Sequence, residues 1–204
     1  MFKKLCLIVL QFLLVNVAIA CPKIDGVKDV NCDGRLTIVC FGDSITAGYG
    51  DPRHLGYPGR LNKLLPHARI INLGKGGEKT PSALIRAEAV LPPIHRIDYF
   101  ILLEGINDPS TIPTMSMAVQ TRNNLLAISG LLPRKTKVLL GSLIPNNEIY
   151  YDSWVDMVNY EIAPYVRINF NSLGAGILSA DGLHPSAFGY KKMADLVYKR
   201  LKKE

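Results

Sequence analysis

From residue 36 onward, the hydrophobic positions of this 204-residue chain switch repeatedly between two periods. Short β-rich apolar runs alternate with longer stretches in which apolar residues recur at helical spacing. Leu36–Phe41 reads as a strand, Tyr57–Leu65 as a helix and Arg69–Leu73 as a second strand. A helix is predicted to start at Thr80-Pro81, with Thr80 as N-cap and Pro81 as its first residue, and to stop at Pro92-Pro93. Asp98–Leu103 is continuously apolar after its first residue, the pattern of a central strand covered on both faces. Met117–Leu132 reads as helical, Lys137–Leu143 as a fourth strand, Trp154–Tyr165 as a helix and Val166–Phe170 as a short edge strand. In Pro185–Lys203, helical spacing puts Tyr190, Met193, Ala194, Val197 and Leu201 on one face; the many lysines of this segment read as a solvated face. Such alternation predicts an α/β fold, a mainly parallel sheet with helices on both faces. Functional groups in such sheets gather at the carboxyl ends of the strands.

The first twenty residues break this pattern. Lys3 and Lys4 precede an uncharged run from Leu5 to Ala20, which ends Ala18-Ile19-Ala20. A basic start, an apolar stretch and small residues at alternate positions mark a secretory signal peptide, so residues 1–20 are expected to be removed on export, to a secreted or periplasmic location. The sixteen-residue run falls short of the ~20 needed to span a bilayer. Cleavage after Ala20 makes Cys21 the first residue, the position that carries lipid in bacterial lipoproteins; Ala18 departs from the leucine usual there. Residues 21–35 read as an N-terminal arm and 36–204 as one domain.

Composition adds limits. With 48% hydrophobic and 20% charged residues, the chain is neither disordered nor collagen-like. The formal charge of +7 falls to +5 without the signal segment, too weak to argue for a nucleic-acid partner. Outside that segment, which holds Cys6, stand Cys21, Cys32 and Cys40. Three is odd, so at least one is unpaired within the chain. Cys40 lies in an apolar strand and reads as a buried small hydrophobe. Cys21 and Cys32 are candidates for a disulfide that pins the arm. The cysteine and histidine spacings contain no zinc motif.

Four sets of residues follow the predicted strands or precede the last helix: Gly42-Asp43-Ser44, Asn72 through Gly77, Gly105-Ile106-Asn107-Asp108, and Asp181-Gly182-Leu183-His184-Pro185. A serine between strand and helix is presented on a tight turn. Asp181 and His184, three apart, can set a carboxylate against one imidazole nitrogen while the other faces Ser44. Gly77 offers an unobstructed backbone N–H and Asn107 a side-chain amide; with the Ser44 N–H these are candidate donors to an oxyanion. Asp43 reads as a loop-holding residue.

On these residues the sequence resembles the SGNH (or GDSL) serine hydrolases, with all four blocks in the family's order over most of residues 36–201. The resemblance implies a three-layer α/β/α sandwich with about five parallel strands, flavodoxin-like, with Ser44, Asp181 and His184 as catalytic residues. It implies Ser44, Gly77 and Asn107 as the oxyanion hole, with no metal and no cofactor. The compact chain is similar to the small bacterial esterase/lysophospholipase-like branch, which makes a carboxylic or lysophospholipid ester the expected substrate. A carbohydrate O-acetylesterase, a thioesterase and an acyltransferase use the same site chemistry, and a non-catalytic cell-wall sugar-binding protein is the rival of another class. Membrane contact is expected only through a lipid on Cys21 or a lipid substrate. Two departures bear on the pocket: Glu104 is polar where many relatives are apolar, and Gly76 stands where serine is common.

Other motifs are incomplete. Thr46 replaces the last glycine of Gly-x-Ser-x-Gly, and Glu78 and Leu73 stand where a phosphate loop needs glycines. Asp29 to Asp33 match the first half of a calcium loop, but Cys40 occupies the twelfth position in place of glutamate; the segment reads as a polar arm. His54, His67 and His95 read as loop or surface residues. Trp154, with Tyr150, Tyr151 and Met157, packs a helix or lines the pocket mouth, and Pro109–Met117 is either a lid beside Asn107 or a plain connection.

Overall fold

The computed structural model describes residues 20–109, 112–147 and 149–204. The predicted signal peptide lies, but for Ala20, outside the described residues, as do Ser110 and Thr111 of the expected lid and the side chains of Tyr150 and Tyr151. No helix among the described residues is long and apolar enough to cross a membrane.

The arm holds a two-stranded antiparallel hairpin, β1 (Lys23–Ile24) and β2 (Val27–Lys28). Its turn is Asp25-Gly26, with φ of 52° and 81°, the left-handed pair of a two-residue hairpin turn. Beyond it run β3 (Leu36–Gly42), β4 (Ala68–Gly74), β5 (Tyr99–Leu103), β6 (Lys137–Gly141) and β7 (Val166–Ile168). All pair in parallel, in the order β4-β3-β5-β6-β7. Order reverses between β3 and β5, the crevice where sheets of this type hold ligands.

Burial follows that order. Every residue of the inner strands β3 and β5 is buried, whereas edge strand β4 is only partly so. Helices α2 (Gly56–Leu64) and α6 (Ala187–Leu201) pack together on one face, with the one-turn helix α1 (Ser44–Ala47). On the other, α3 (Thr80–Val90), α4 (Met115–Gly130) and α5 (Ile149–Ile162) pack in sequence. This is the expected three-layer sandwich. Trp154 of α5 is fully buried and donates its indole N–H to the Gly105 carbonyl at 2.9 Å, so of the two readings it packs the helix against the end of β5.

Several expectations need correction: β6 stops at Gly141 and α5 runs from Ile149 to Ile162. Thr80 is not the N-cap of α3: Lys79 occupies that position without a side-chain bond, and Thr80 is already helical. Its N–H donates instead to Asp108 Oδ1 at 2.7 Å and its hydroxyl to Asp108 Oδ2 at 2.5 Å, so a carboxylate 28 residues away replaces the local cap. Helix α4 starts two residues early because Thr114 caps it, accepting from the Met117 N–H at 3.3 Å. The segment after β7 turns into a 3-10 helix at Phe170–Leu173, so the edge strand ends at Ile168.

The arm is tied to the amino edge of the sheet. Cys21 and Cys32 form a disulfide, and Asn31 donates its backbone N–H and side-chain amide to Asp98 Oδ1 at 2.9 and 3.1 Å. The two aspartates of the half calcium loop hold the arm's own turn: Asp29 Oδ2 accepts from Gly34 N–H at 2.7 Å, and Asp33 accepts from Arg35 N–H and pairs with Arg96. Cys40 is buried, and burial pushes its thiol up to about 12.

Candidate active site

At the carboxyl end of β3 the chain turns sharply into α1. Asp43 is the N-cap: its Oδ1 accepts from Ile45 N–H at 2.8 Å, the loop-holding use expected of it. Its other oxygen has no partner, and burial, with Asp108 and Glu78 nearby, raises its carboxyl to about 7. Ser44 is thereby fixed as the first residue of α1, and its backbone N–H has no intrahelical acceptor.

The last connection, before α6, brings up the partner. His184 Nε2 lies 2.9 Å from Ser44 Oγ, and His184 Nδ1 lies 2.8 Å from Asp181 Oδ2. Asp181 Oδ1 accepts from the N–H groups of Leu183 and His184 at 3.0 and 2.9 Å and from Ser179 Oγ at 2.8 Å. Burial opposes ionisation of Asp181, but these donors and the His184 ring together hold its carboxyl well below the usual range. Such a chain orients the imidazole to take a proton from Ser44 Oγ.

Two further donors flank the serine. Gly77 adopts φ of 70°, a left-handed conformation that favours glycine, and its N–H has no acceptor among the described residues. Asn107, after β5, donates one amide hydrogen to the Glu78 carbonyl at 3.0 Å, which leaves the second available. Ser44, Gly77 and Asn107 thus project from the carboxyl ends of β3, β4 and β5.

Sequence reasoning missed what holds these donors. The Glu78 carboxylate is fully buried and clamps Arg86 of α3: Arg86 Nε donates to both carboxylate oxygens, at 3.0 and 2.7 Å, and a terminal nitrogen adds another bond. The same guanidinium donates to the carbonyls of Leu73 and Gly42, at 3.0 and 3.4 Å, and lies 4.0 Å over the Phe41 ring. The turn that carries Gly77 and steers Asn107 is thereby bolted to the ends of β3 and β4. Charge-assisted, bidentate bonds of this kind are the strong, geometrically specific ones.

Both departures have a physical reading. Glu104 is buried, its Oε1 accepting from Gly105 N–H at 3.2 Å; burial first, and then neighbouring Asp43, pushes its carboxyl well above the usual range. At Gly76 an added Cβ would meet the Tyr49 hydroxyl at 2.8 Å, so glycine makes room for that ring. Tyr49 is half-exposed and its ring centroid lies 5.8 Å from that of His184. The other expected bystanders stay apart: His54, His67 and His95 are exposed.

Residues 40–192 match the family model described as GDSL-like lipase/acylhydrolase. No curated protein sequence matches the chain. Among solved structures, a member of the lipolytic G-D-S-L family from Veillonella parvula superposes with a TM-score of 0.67 at 22% identity, covering 80% of this chain and 97% of that one. A GDSL-like lipase from Bacteroides thetaiotaomicron gives 0.66 at 20% identity, covering 82% and 88%. The psychrotrophic esterase EstA from Pseudoalteromonas sp. gives 0.62 at 22% identity, covering 82% and 97%. These three share the fold.

Proposed function

The chain belongs to the GDSL-like lipase/acylhydrolase family of ester hydrolases, and from that premise we propose that it is an exported serine esterase cleaving carboxylic or lysophospholipid esters. The carrying observation is the pair of contacts from His184, 2.9 Å to Ser44 Oγ and 2.8 Å to Asp181. Ser44 Oγ attacks the ester carbonyl carbon while His184 Nε2 takes its proton. The tetrahedral oxyanion lies among the Ser44 and Gly77 N–H groups and the free Asn107 amide hydrogen. Collapse breaks the bond to the alcohol oxygen, which leaves with the proton from His184, and an acyl-Ser44 remains. Water, deprotonated by His184, then attacks the acyl carbon, and the acid departs as Ser44 recovers its proton. Asp181 keeps the imidazole in the productive tautomer and stabilises its cation.

Two observations support the finer reading. Tyr49, Ile112 and Met115 stand exposed on segments that follow β3 and β5, apolar surface suited to an acyl chain. The Cys21–Cys32 disulfide suits an oxidising, extracytoplasmic compartment and engages the sulfur that a lipoprotein would modify. The test is turnover of p-nitrophenyl acetate, butyrate and octanoate by the chain from Cys21 onward, beside Ser44→Ala. Turnover that vanishes in the variant is the expected result, and its chain-length preference sizes the acyl site. Equal turnover by a folded Ser44→Ala protein overturns the reading.

A further inference from the structure

A cavity of about 710 Å³ lies at the edge of the sheet opposite Ser44. Its lining includes Arg35, Arg69 and Arg96, and an adjoining hollow of about 460 Å³ shares Arg96 and adds Arg134 and Lys135. The positions are regular. Arg69 is the second residue of β4, Arg35 directly precedes β3, Arg96 precedes β5, and Arg134 and Lys135 precede β6. In sheet order these are successive neighbours, so strands about 4.8 Å apart carry a row of exposed cations along the amino edge. Among the described residues only Arg96 of the five has an ion-pair partner, Asp33.

Helix termini do not account for the row. Cations often complement the carboxyl end of a helix, but α3 and α4, which end at this edge, carry no basic residue in their last turns. Arg35 and Arg69 belong to strands or their approaches. The place where the chain enters the fold supplies a second, independent observation. Cys21 is bonded to Cys32, beside Asn31 and its bonds to Asp98, so the apolar residues 1–20 with Lys3 and Lys4 join the domain at this same edge.

We propose that the amino edge of the sheet is a docking face for an anionic lipid surface, with Arg35, Arg69, Arg96, Arg134 and Lys135 against the phosphate head groups. While the N-terminal segment is attached it holds this edge toward the bilayer, and after its removal the cation row keeps the domain there. Head-group charge attracts such residues within a Debye length of the surface. Docked this way, the carboxyl edge faces the aqueous phase, so Ser44 takes esters from solution and not out of the bilayer beneath it.

Co-sedimentation of the chain from Cys21 onward, which contains the whole sheet and core, tests this with phosphatidylcholine vesicles with and without phosphatidylglycerol. Binding is expected to be at least about tenfold stronger to the anionic vesicles and to vanish near about 0.5 M salt. Arg35→Glu/Arg69→Glu should lose about tenfold, while the charge-matched Lys191→Glu/Lys192→Glu on α6 and the Ser44→Ala variant bind as before. A melting curve confirms that each variant is folded, and turnover of a soluble ester adds to it for the variants that keep Ser44. Equal binding to both vesicle types, no binding, or full binding by the Arg35/Arg69 variant overturns the proposal. Retention on a soluble polyanion without vesicle binding also overturns it, in favour of an acidic polymer. Because Ser44→Ala is expected to bind, loss of the esterase reading leaves this result interpretable.

Discussion

The two edges of the sheet differ in the charged residues they add to their buried carboxylates. At the carboxyl edge, Asp43, Glu78 and Glu104 are buried and Asp108 is partly so, with Glu78 and Asp108 bonded to named donors; the amino edge buries Asp29 and Asp98 as well, but it also carries Arg35, Arg69, Arg134 and Lys135, exposed and, among the described residues, without ion pairs. Buried polar groups in low dielectric demand partners, and the partners fix positions to fractions of an ångström. Exposed cations are screened and mobile, and they act through their sum. One edge is therefore built for chemistry at a point, and the other for attraction to an extended surface.

The largest expected effects lie on the first edge. Ser44→Ala and His184→Ala should each lower kcat on the order of 10⁴–10⁶-fold, and the double variant little further, because the two act as a unit. A double variant much slower than either single change, measured on one ester, would separate them. Next comes Asn107→Ala, for which loss of one oxyanion donor predicts a fall of ~10²–10³ in kcat with KM little changed. A rise in KM at constant kcat would move Asn107 from the transition state to ground-state binding.

Stability discriminates further. Arg86→Ala leaves the buried Glu78 carboxylate without its main partner and should cost about 3–5 kcal/mol in urea unfolding, with a loss of kcat as the Gly77 turn loosens. Asp43 shows its influence through pH. Its carboxyl is raised from 3.8 to about 7 in the folded state, so between those values the native chain binds the extra proton and stability falls as pH rises. Asp43→Asn keeps an acceptor for Ile45 N–H and should flatten that decline; an unchanged slope from pH 4 to 7 would contradict the assignment. Asp51, lowered to about 2 chiefly by the Arg60 side chain, acts with the opposite sign, and its contribution is lost as pH falls below about 4. Smallest of all, Arg69→Glu on the amino edge should change stability by no more than about 0.5 kcal/mol and leave turnover of a soluble ester unaltered.

The same contrast explains what the sequence made legible. Strands β3 and β5 announce themselves by unbroken apolar runs because both their faces are covered. The residues just past them, Ser44 and Asn107, could be picked out because carboxyl ends of parallel strands converge on one crevice. The hairpin in the arm had a signal, Asp25-Gly26, but its strands are two residues each and too short to show a period. The neighbours of Thr80 permit a cap there, and only the fold brings Asp108 to it. Glu78 and Arg86 carry no local mark at all: one lies in a turn and the other in a helix, and their meeting depends on how α3 packs over the ends of β3 and β4. Glu104 is a charged residue by composition, and its burial follows from the strand end it occupies.

In this mechanism Ser44 is the nucleophile that His184 activates. Reaction with a fluorophosphonate, followed by peptide mapping and parallel turnover measurements, tests it most directly. One label is expected, on Ser44, appearing in step with loss of esterase activity and absent from Ser44→Ala. Label on another residue, or full turnover after Ser44 is stoichiometrically modified, would contradict it.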